Sequence, residues 1–170
     1  MLTENEKITE EVGSLAARAC TELFDAYGVR LESSNNRWGE SNVRLLCGVI
    51  GFVGSRVRGT CLLAGSEPPL TESCPTQGKL RDWVGELANQ LAGRLKTKFL
   101  DRGVEVALTT PIVLSGVRLE PLPRGRLKPR VFSARAGDVM VWVEMEATPD
   151  FKFGSEHPGR HGGEGDVLLF

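Results

Sequence analysis

A chain of 170 residues, 41% hydrophobic and 25% charged, is long enough to bury a core without metals or disulfides and has the composition of an ordinary globular domain, which excludes a wholly disordered or membrane-spanning protein. Its 21 basic and 22 acidic residues leave a formal charge of -1, so no global field draws it to nucleic acid or an anionic membrane. Cys20, Cys47, Cys61 and Cys74 contain no CxxC pair, which argues against zinc or thioredoxin-type chemistry and for reduced thiols serving as small hydrophobes.

The first residues, Met1-Leu2-Thr3-Glu4-Asn5-Glu6, lack the basic-then-apolar pattern of a leader, and no apolar run is long enough to cross a bilayer. The expected compartment is the cytoplasm. From Thr3 to Tyr27, Ile8, Val12, Leu15, Ala16, Ala19, Leu23, Ala26 and Tyr27 recur at three- and four-residue steps, which predicts an amphipathic helix stopped by Gly28. Two β-rich runs, Val43 to Val53 and Val57 to Leu63, flank Gly54 and Ser55 and read as a hairpin. Gly65 to Gly78 holds three prolines and reads as a loop. Leu80 to Leu100 is the second helix, with Trp83, Val84, Leu87, Ala88, Leu91, Ala92, Leu95 and Phe99 on its apolar half. Further strands are predicted over Val104 to Leu108, Ile112 to Leu119, Val131 to Ala134 and Val139 to Ala147.

Between the strands, Arg124, Arg126, Lys128 and Arg130 are interrupted by Gly125 and Pro129 and read as a solvated loop. After Thr148 the chain turns glycine-rich, so residues 1–150 are expected to form one domain and 151–170 a mobile tail. His157 and His161 in that tail are poor support for a metal site, and no metal is expected. Val12-Gly13-Ser14-Leu15-Ala16-Ala17 aligns without a gap to Val84-Gly85-Glu86-Leu87-Ala88-Asn89. Each helix is followed by extended segments, which points to an internal duplication. Ser14 and Ala17 stand where the second copy has Glu86 and Asn89.

Three residues apart on a helix, Glu86 and Asn89 lie about 60° apart, opposite Trp83, Leu87 and Leu91. Gly93 follows on the same side, at a cost of about 1 kcal/mol in helix stability relative to alanine. Either Glu86 and Asn89 merely solvate a helix face and Gly93 packs on a neighbour, or the bare glycine lets another molecule approach a two-pronged polar probe.

The string Glu86-Leu87-Ala88-Asn89-Gln90-Leu91-Ala92-Gly93-Arg94-Leu95-Lys96, then Gly103 and Thr109-Thr110-Pro111-Ile112-Val113-Leu114-Ser115-Gly116, resembles the signature of the CheC and CheX phosphatases of bacterial chemotaxis. Ile50-Gly51-Phe52-Val53-Gly54 and Gly59 resemble that family's earlier hairpin, so the resemblance spans about Val43 to Ala147. It implies an α+β fold, two long helices side by side on a mostly antiparallel sheet with a pseudo-twofold duplication, and leaves open a homodimer formed through the sheets. It also implies that Glu86 contacts the active-site lysine of a phosphorylated CheY-like response regulator and Asn89 orients the attacking water. Glu86, Asn89, Gly93 and Lys96 would form the partner-binding surface. No cofactor of the chain's own is implied, the magnesium being carried by the regulator. CheC-type members carry the motif on both helices, and Ser14 and Ala17 break it in the first, which favours the CheX type. Two rivals are a noncatalytic module that binds a regulator or scaffold, and an enzyme acting on another phosphorylated substrate, for which no glycine-rich phosphate cradle speaks.

Overall fold

In the computed structural model, which describes residues 1–124 and 128–157, the first helix starts on a capping box. The Thr3 hydroxyl accepts from the Glu6 amide at 3.2 Å, and the Glu6 carboxylate accepts from the Thr3 amide at 2.8 Å. Two N–H groups that no helical carbonyl can reach are thereby satisfied. This helix, α1 (Glu4–Ala26), buries Ile8, Val12, Leu15, Ala16, Ala19 and Leu23 of the predicted stripe together with Cys20 and Phe24, while Ala26 is exposed and Tyr27 half-buried where the helix ends. The second long helix, α3 (Leu80–Leu100), buries Trp83, Val84, Gly85, Leu87, Ala88, Leu91, Ala92, Leu95 and Phe99.

The two long helices end alike. In α1 the Val29 amide donates to Phe24 O and the Gly28 amide to Asp25 O; in α3 Val104 donates to Phe99 O and Gly103 to Leu100 O. Gly28 and Gly103 both sit at φ 75°, where a side chain is strained and glycine is not. The shared string Phe-x-x-x-Gly-Val is a second trace of duplication, three residues further along in α3 than the Val12/Val84 alignment requires.

Seven strands form one sheet: β1 (Glu32–Ser34), β2 (Arg44–Val53), β3 (Val57–Ser66), β4 (Ala107–Leu108), β5 (Ile112–Val117), β6 (Arg130–Ala134) and β7 (Gly137–Ala147). Their order is β1-β6-β7-β3-β2-β4, with β5 also on β2, and every pairing is antiparallel. The order is symmetric about the β7–β3 seam. Exchanging β3 with β7, β2 with β6 and β1 with β5 maps the sheet on itself, so α1-β1-β2-β3 and α3-β5-β6-β7 are the two copies. Each copy lends its first strand to the other's second, which ties the halves into one unit. Both long helices cover the same face, and they run antiparallel, as the Glu22–Lys98 ion pair at 3.0 Å and the Glu11–Arg102 pair at 3.6 Å require. The fold is thus the expected α+β arrangement of helices on an antiparallel sheet.

The run from Gly65 to Gly78 differs from the loop expected of it. It contains a third helix, α2 (Glu67–Ser73), with proline in its first turn, where the missing N–H would have been unsatisfied and the ring presets the helical φ. Leu70 is fully buried, and the buried Ser73 hydroxyl donates to Leu70 O and accepts from the Trp83 indole at 2.9 Å. The three-residue β1 carries no hydrophobic pattern and was not expected either.

Packing continues past the domain end expected at residue 150. Phe151 is buried, Phe153 stacks against Phe99 with centroids 5.6 Å apart, and Gly154 and His157 donate backbone hydrogen bonds to Arg102 O and Asp101 O. Two aromatic rings outweigh the glycine-rich composition of their surroundings. Residues 158–170 of the expected tail, His161 among them, lie outside the described residues, as do Gly125, Arg126 and Leu127 of the expected basic loop. That loop's flanks are paired: Arg124 with Glu146, and Arg130 with Glu10.

All four cysteines are free thiols. Burial pushes the Cys47 thiol up to about 11 and Cys61 up to about 12, and raises Cys20 as well, with the nearby Cys61 adding to the effect. Cys74 is only half-buried. At pH 8 a disulfide reagent is therefore expected to label Cys74 rapidly in the native protein and the other three only on unfolding, because the thiolate is the reactive form; mass spectrometry of labelled peptides reads this. A second expectation concerns Gly48 of β2, where a Cβ would lie 2.6 Å from Ala88 Cβ and 3.0 Å from Val84 O of α3. Gly48→Ala must push α3 off the sheet and is expected to cost about 1–3 kcal/mol in urea unfolding.

Candidate functional site

The apolar stripe of α3 decides what the helix shows to solvent. With Trp83, Val84, Leu87, Leu91 and Leu95 turned to the sheet, Glu86, Asn89 and Lys96 are exposed and Gly93 is half-exposed on the opposite side. The four positions expected to face a partner therefore share one outward surface. Beneath the start of the motif, β5 is the supporting strand: a Cβ on Gly85 would lie 3.4 Å from Val113 Cγ2. Thr109, just before β5, is tied to β2 through two hydrogen bonds with Gly51, one from each residue's amide.

Among the described residues, the Asn89 amide and the Lys96 ammonium have no hydrogen-bond or ion-pair partner, so both are available to another molecule. Glu86 is held on one side only. Gln90 Nε2 donates to Glu86 Oε1 at 2.8 Å, and Gln90 Oε1 accepts from the Tyr27 hydroxyl, at the end of α1, at 2.9 Å. The Tyr27 ring sits edge-on to Trp83, with centroids 4.9 Å apart at 89°. Gln90 and Tyr27 were given no role by the sequence. A glutamine four residues after a glutamate was a visible signal for the first; the second depends on contact between helices.

Gly93 separates the two readings of this face. A Cβ there would meet nothing within 4 Å, and the residue is not among those with positive φ. Neither packing nor backbone conformation among the described residues requires a glycine, so the view that it packs against a neighbour does not hold among them.

The first helix presents the matching positions differently. Val12 and Leu15 are buried as Val84 and Leu87 are. Ser14 is exposed, with Arg130 Nη2 3.4 Å from its hydroxyl, while Ala17 is half-buried and packs against the core. Of the two helices, α3 carries the glutamate and asparagine at these positions, and α1 carries serine and alanine. Among the described residues, no group of three His, Cys, Asp or Glu side chains could hold a metal ion.

The family model of the chemotaxis phosphatase CheX matches residues 46–126, a span that runs from β2 through α3 to β5 and so contains the whole exposed face. Over that span the chain resembles CheX. Its fold agrees with chemotaxis protein CheX from Vibrio vulnificus at a TM-score of 0.66 and 20% identity, over 80% of this chain and 97% of that one. A CheC-like superfamily protein from Shewanella sp. PV-4 gives 0.67 at 19% identity, over 86% and 100%. A CheX from Borrelia burgdorferi, solved as a CheX–CheY–BeF3–Mg complex, gives 0.56 at 12% identity, over 78% and 96%. No curated protein matches the chain in sequence. At these identities the structural likeness is one of fold.

Because no described residue would meet a Cβ at Gly93, Gly93→Ala is expected to stabilise the domain by about 0.5–1 kcal/mol. Urea unfolding checks the sign, which is opposite to that at Gly48.

Proposed function

We propose that this chain binds a phosphorylated CheY-like response regulator and accelerates hydrolysis of its aspartyl phosphate. The observation that carries the reading is the exposed, unpartnered Asn89 amide, one turn from the Glu86 carboxylate on a helix face opened by a glycine that the fold does not need. The family match and a neighbour solved in complex with CheY support it.

An aspartyl phosphate held by its own regulator's lysine and magnesium lacks chiefly a well-placed water in line with phosphorus. Glu86 would engage the regulator's lysine by charge, setting α3 against the phosphorylation site. Gly93 lets the regulator's surface approach the helix backbone, and Lys96 adds a cation at the edge of the contact. Asn89 then accepts from and donates to the water that attacks phosphorus. The bond between phosphorus and the aspartyl oxygen breaks, releasing inorganic phosphate and the regulator's free carboxylate. Orientation suffices here without a strong base, so the chain needs no cofactor of its own in this reading. The location proposed with it is the cytoplasm, where such regulators work; among the described residues no helix is long and apolar enough to cross a membrane. Pairing of two copies through the sheet belongs to the same reading: β5 lies at the edge and exposes Ile112, Leu114 and Val117. Sedimentation velocity distinguishes monomer from dimer.

With a regulator phosphorylated by acetyl phosphate, phosphate release is expected to quicken on adding the chain, and Asn89→Ala to lose about a hundredfold to a thousandfold of that acceleration with unfolding unchanged. Retention of activity within a factor of two removes Asn89 from the mechanism. Complex formation with no acceleration by the native chain leaves the binding module in place of the phosphatase. Glu86→Lys is expected to weaken association, more at low than at high ionic strength, as a contact between opposite charges demands. Gly93→Ala is expected to weaken association severalfold although it folds better.

A further inference from the structure

Glu86 could have been a free surface carboxylate, and a Glu–Gln pair four residues apart on an exposed helix is ordinarily worth only a few tenths of a kcal/mol. Here the pair is tied to the rest of the molecule. The Tyr27 hydroxyl donates to Gln90 Oε1, and Gln90 Nε2 donates to Glu86 Oε1. Only one orientation of the Gln90 amide satisfies both ends: reversed, its oxygen would face the carboxylate. The phenol is itself held in place, its ring edge-on to Trp83, whose indole donates to the buried Ser73 hydroxyl. A chain of contacts thus runs from α2 through α3 and α1 to a single oxygen of Glu86. Oε1 is occupied, and the other carboxylate oxygen is left for a cation from outside.

We propose that Gln90, oriented by Tyr27 of the opposite repeat, is a positioning residue that holds Glu86 ready for its partner's ammonium group. The proposal rests on the reading of Glu86 as the contact to the regulator's lysine. A freely rotating glutamate loses side-chain entropy when it docks, and a tethered one has lost it beforehand. The effect therefore falls on association and not on the water-attack step, which belongs to Asn89.

The relay also gives α1 a part in the site. The residue before the cap glycine is Tyr27 in one copy and Arg102 in the other, and each reaches across to the opposite helix. Arg102 enters ion pairs with Glu11 and Glu156, whereas Tyr27 supports Glu86.

The test has two arms. In the free protein labelled with nitrogen-15, the Gln90 side-chain amide pair, identified by its loss in Gln90→Leu, is expected away from free-amide positions and displaced by both Tyr27→Phe and Glu86→Ala. Tyr27→Phe keeps the ring on Trp83 and removes only the hydroxyl, so the fold is retained. A pair at free-amide positions, insensitive to both variants, overturns the proposal whatever the activity. In the second arm, with acetyl phosphate-treated regulator, Gln90→Leu is expected to raise KM about three- to tenfold and Tyr27→Phe about two- to fivefold, with kcat within twofold. In a Glu86→Ala background neither is expected to change KM further. An unchanged KM in a chain that Asn89→Ala still inactivates overturns the positioning role and leaves the phosphatase reading standing. Indifference to Asn89→Ala and Glu86→Ala alike overturns that reading, and this proposal with it.

Discussion

The contact between α3 and β2 at Gly48 is the constraint on which the rest depends. Without a Cβ on Gly48, Ala88 and the Val84 carbonyl come against the strand backbone, and the helix is seated at a depth that no other residue would permit. Leu87, Leu91 and Leu95 join Leu46, Ile50 and Phe52 in one buried cluster. Each fully buried leucine contributes about 2–3 kcal/mol through removal of apolar surface from water. A helix held so firmly on one side cannot rotate. The direction in which Glu86 and Asn89 point is thus a consequence of packing on the opposite face, and site and core are two sides of one element.

The duplicated architecture lets the two long helices differ on their outward faces without losing the fold. The two halves exchange first strands, so neither sheet half is complete alone, and α1 remains needed for the core whatever its outward face carries. Ser14 and Ala17 are compatible with that role: one lies beside Arg130, the other packs inward. The opposite ends of the helix pair have diverged in the same spirit. At one end Arg102 is clamped by Glu11 and Glu156, its carbonyl accepts from the Gly154 amide, and Phe153 packs on Phe99. At the other end Tyr27 reaches the exposed face of α3 and ends on Gln90. The symmetry of the backbone is preserved where the hydrophobic layers need it and broken where side chains meet solvent.

Gly93 and Gly48 show why a glycine must be judged by its surroundings. Both lie in regular elements, where glycine costs stability, and the sequence alone treats them alike. One is required because a Cβ there would lie 2.6 Å from Ala88 Cβ, whereas a Cβ on the other would meet none of the described residues within 4 Å. For Gly48 the fold supplies the compensation. For Gly93 nothing among the described residues does.

Hydrophobic periodicity by itself determined the two long helices, their buried faces, the main strands and the outward side of Glu86 and Asn89, because burial repeats at the pitch of each element and whatever is left over must face water. The aligned Val-Gly-x-Leu-Ala strings revealed the duplication. Tertiary structure alone decided the rest. The helix in Gly65–Gly78 was hidden by prolines that suit a first turn, and the docking of Phe151 and Phe153 was hidden by glycines around them; in both cases a few long-range contacts outweighed local composition. Strand exchange between the halves, the seat at Gly48 and the Tyr27–Gln90 link join residues far apart in the chain. Periodicity reports which face of an element is buried, but not which residue of a distant element meets it; that is set only when the layers close on one another.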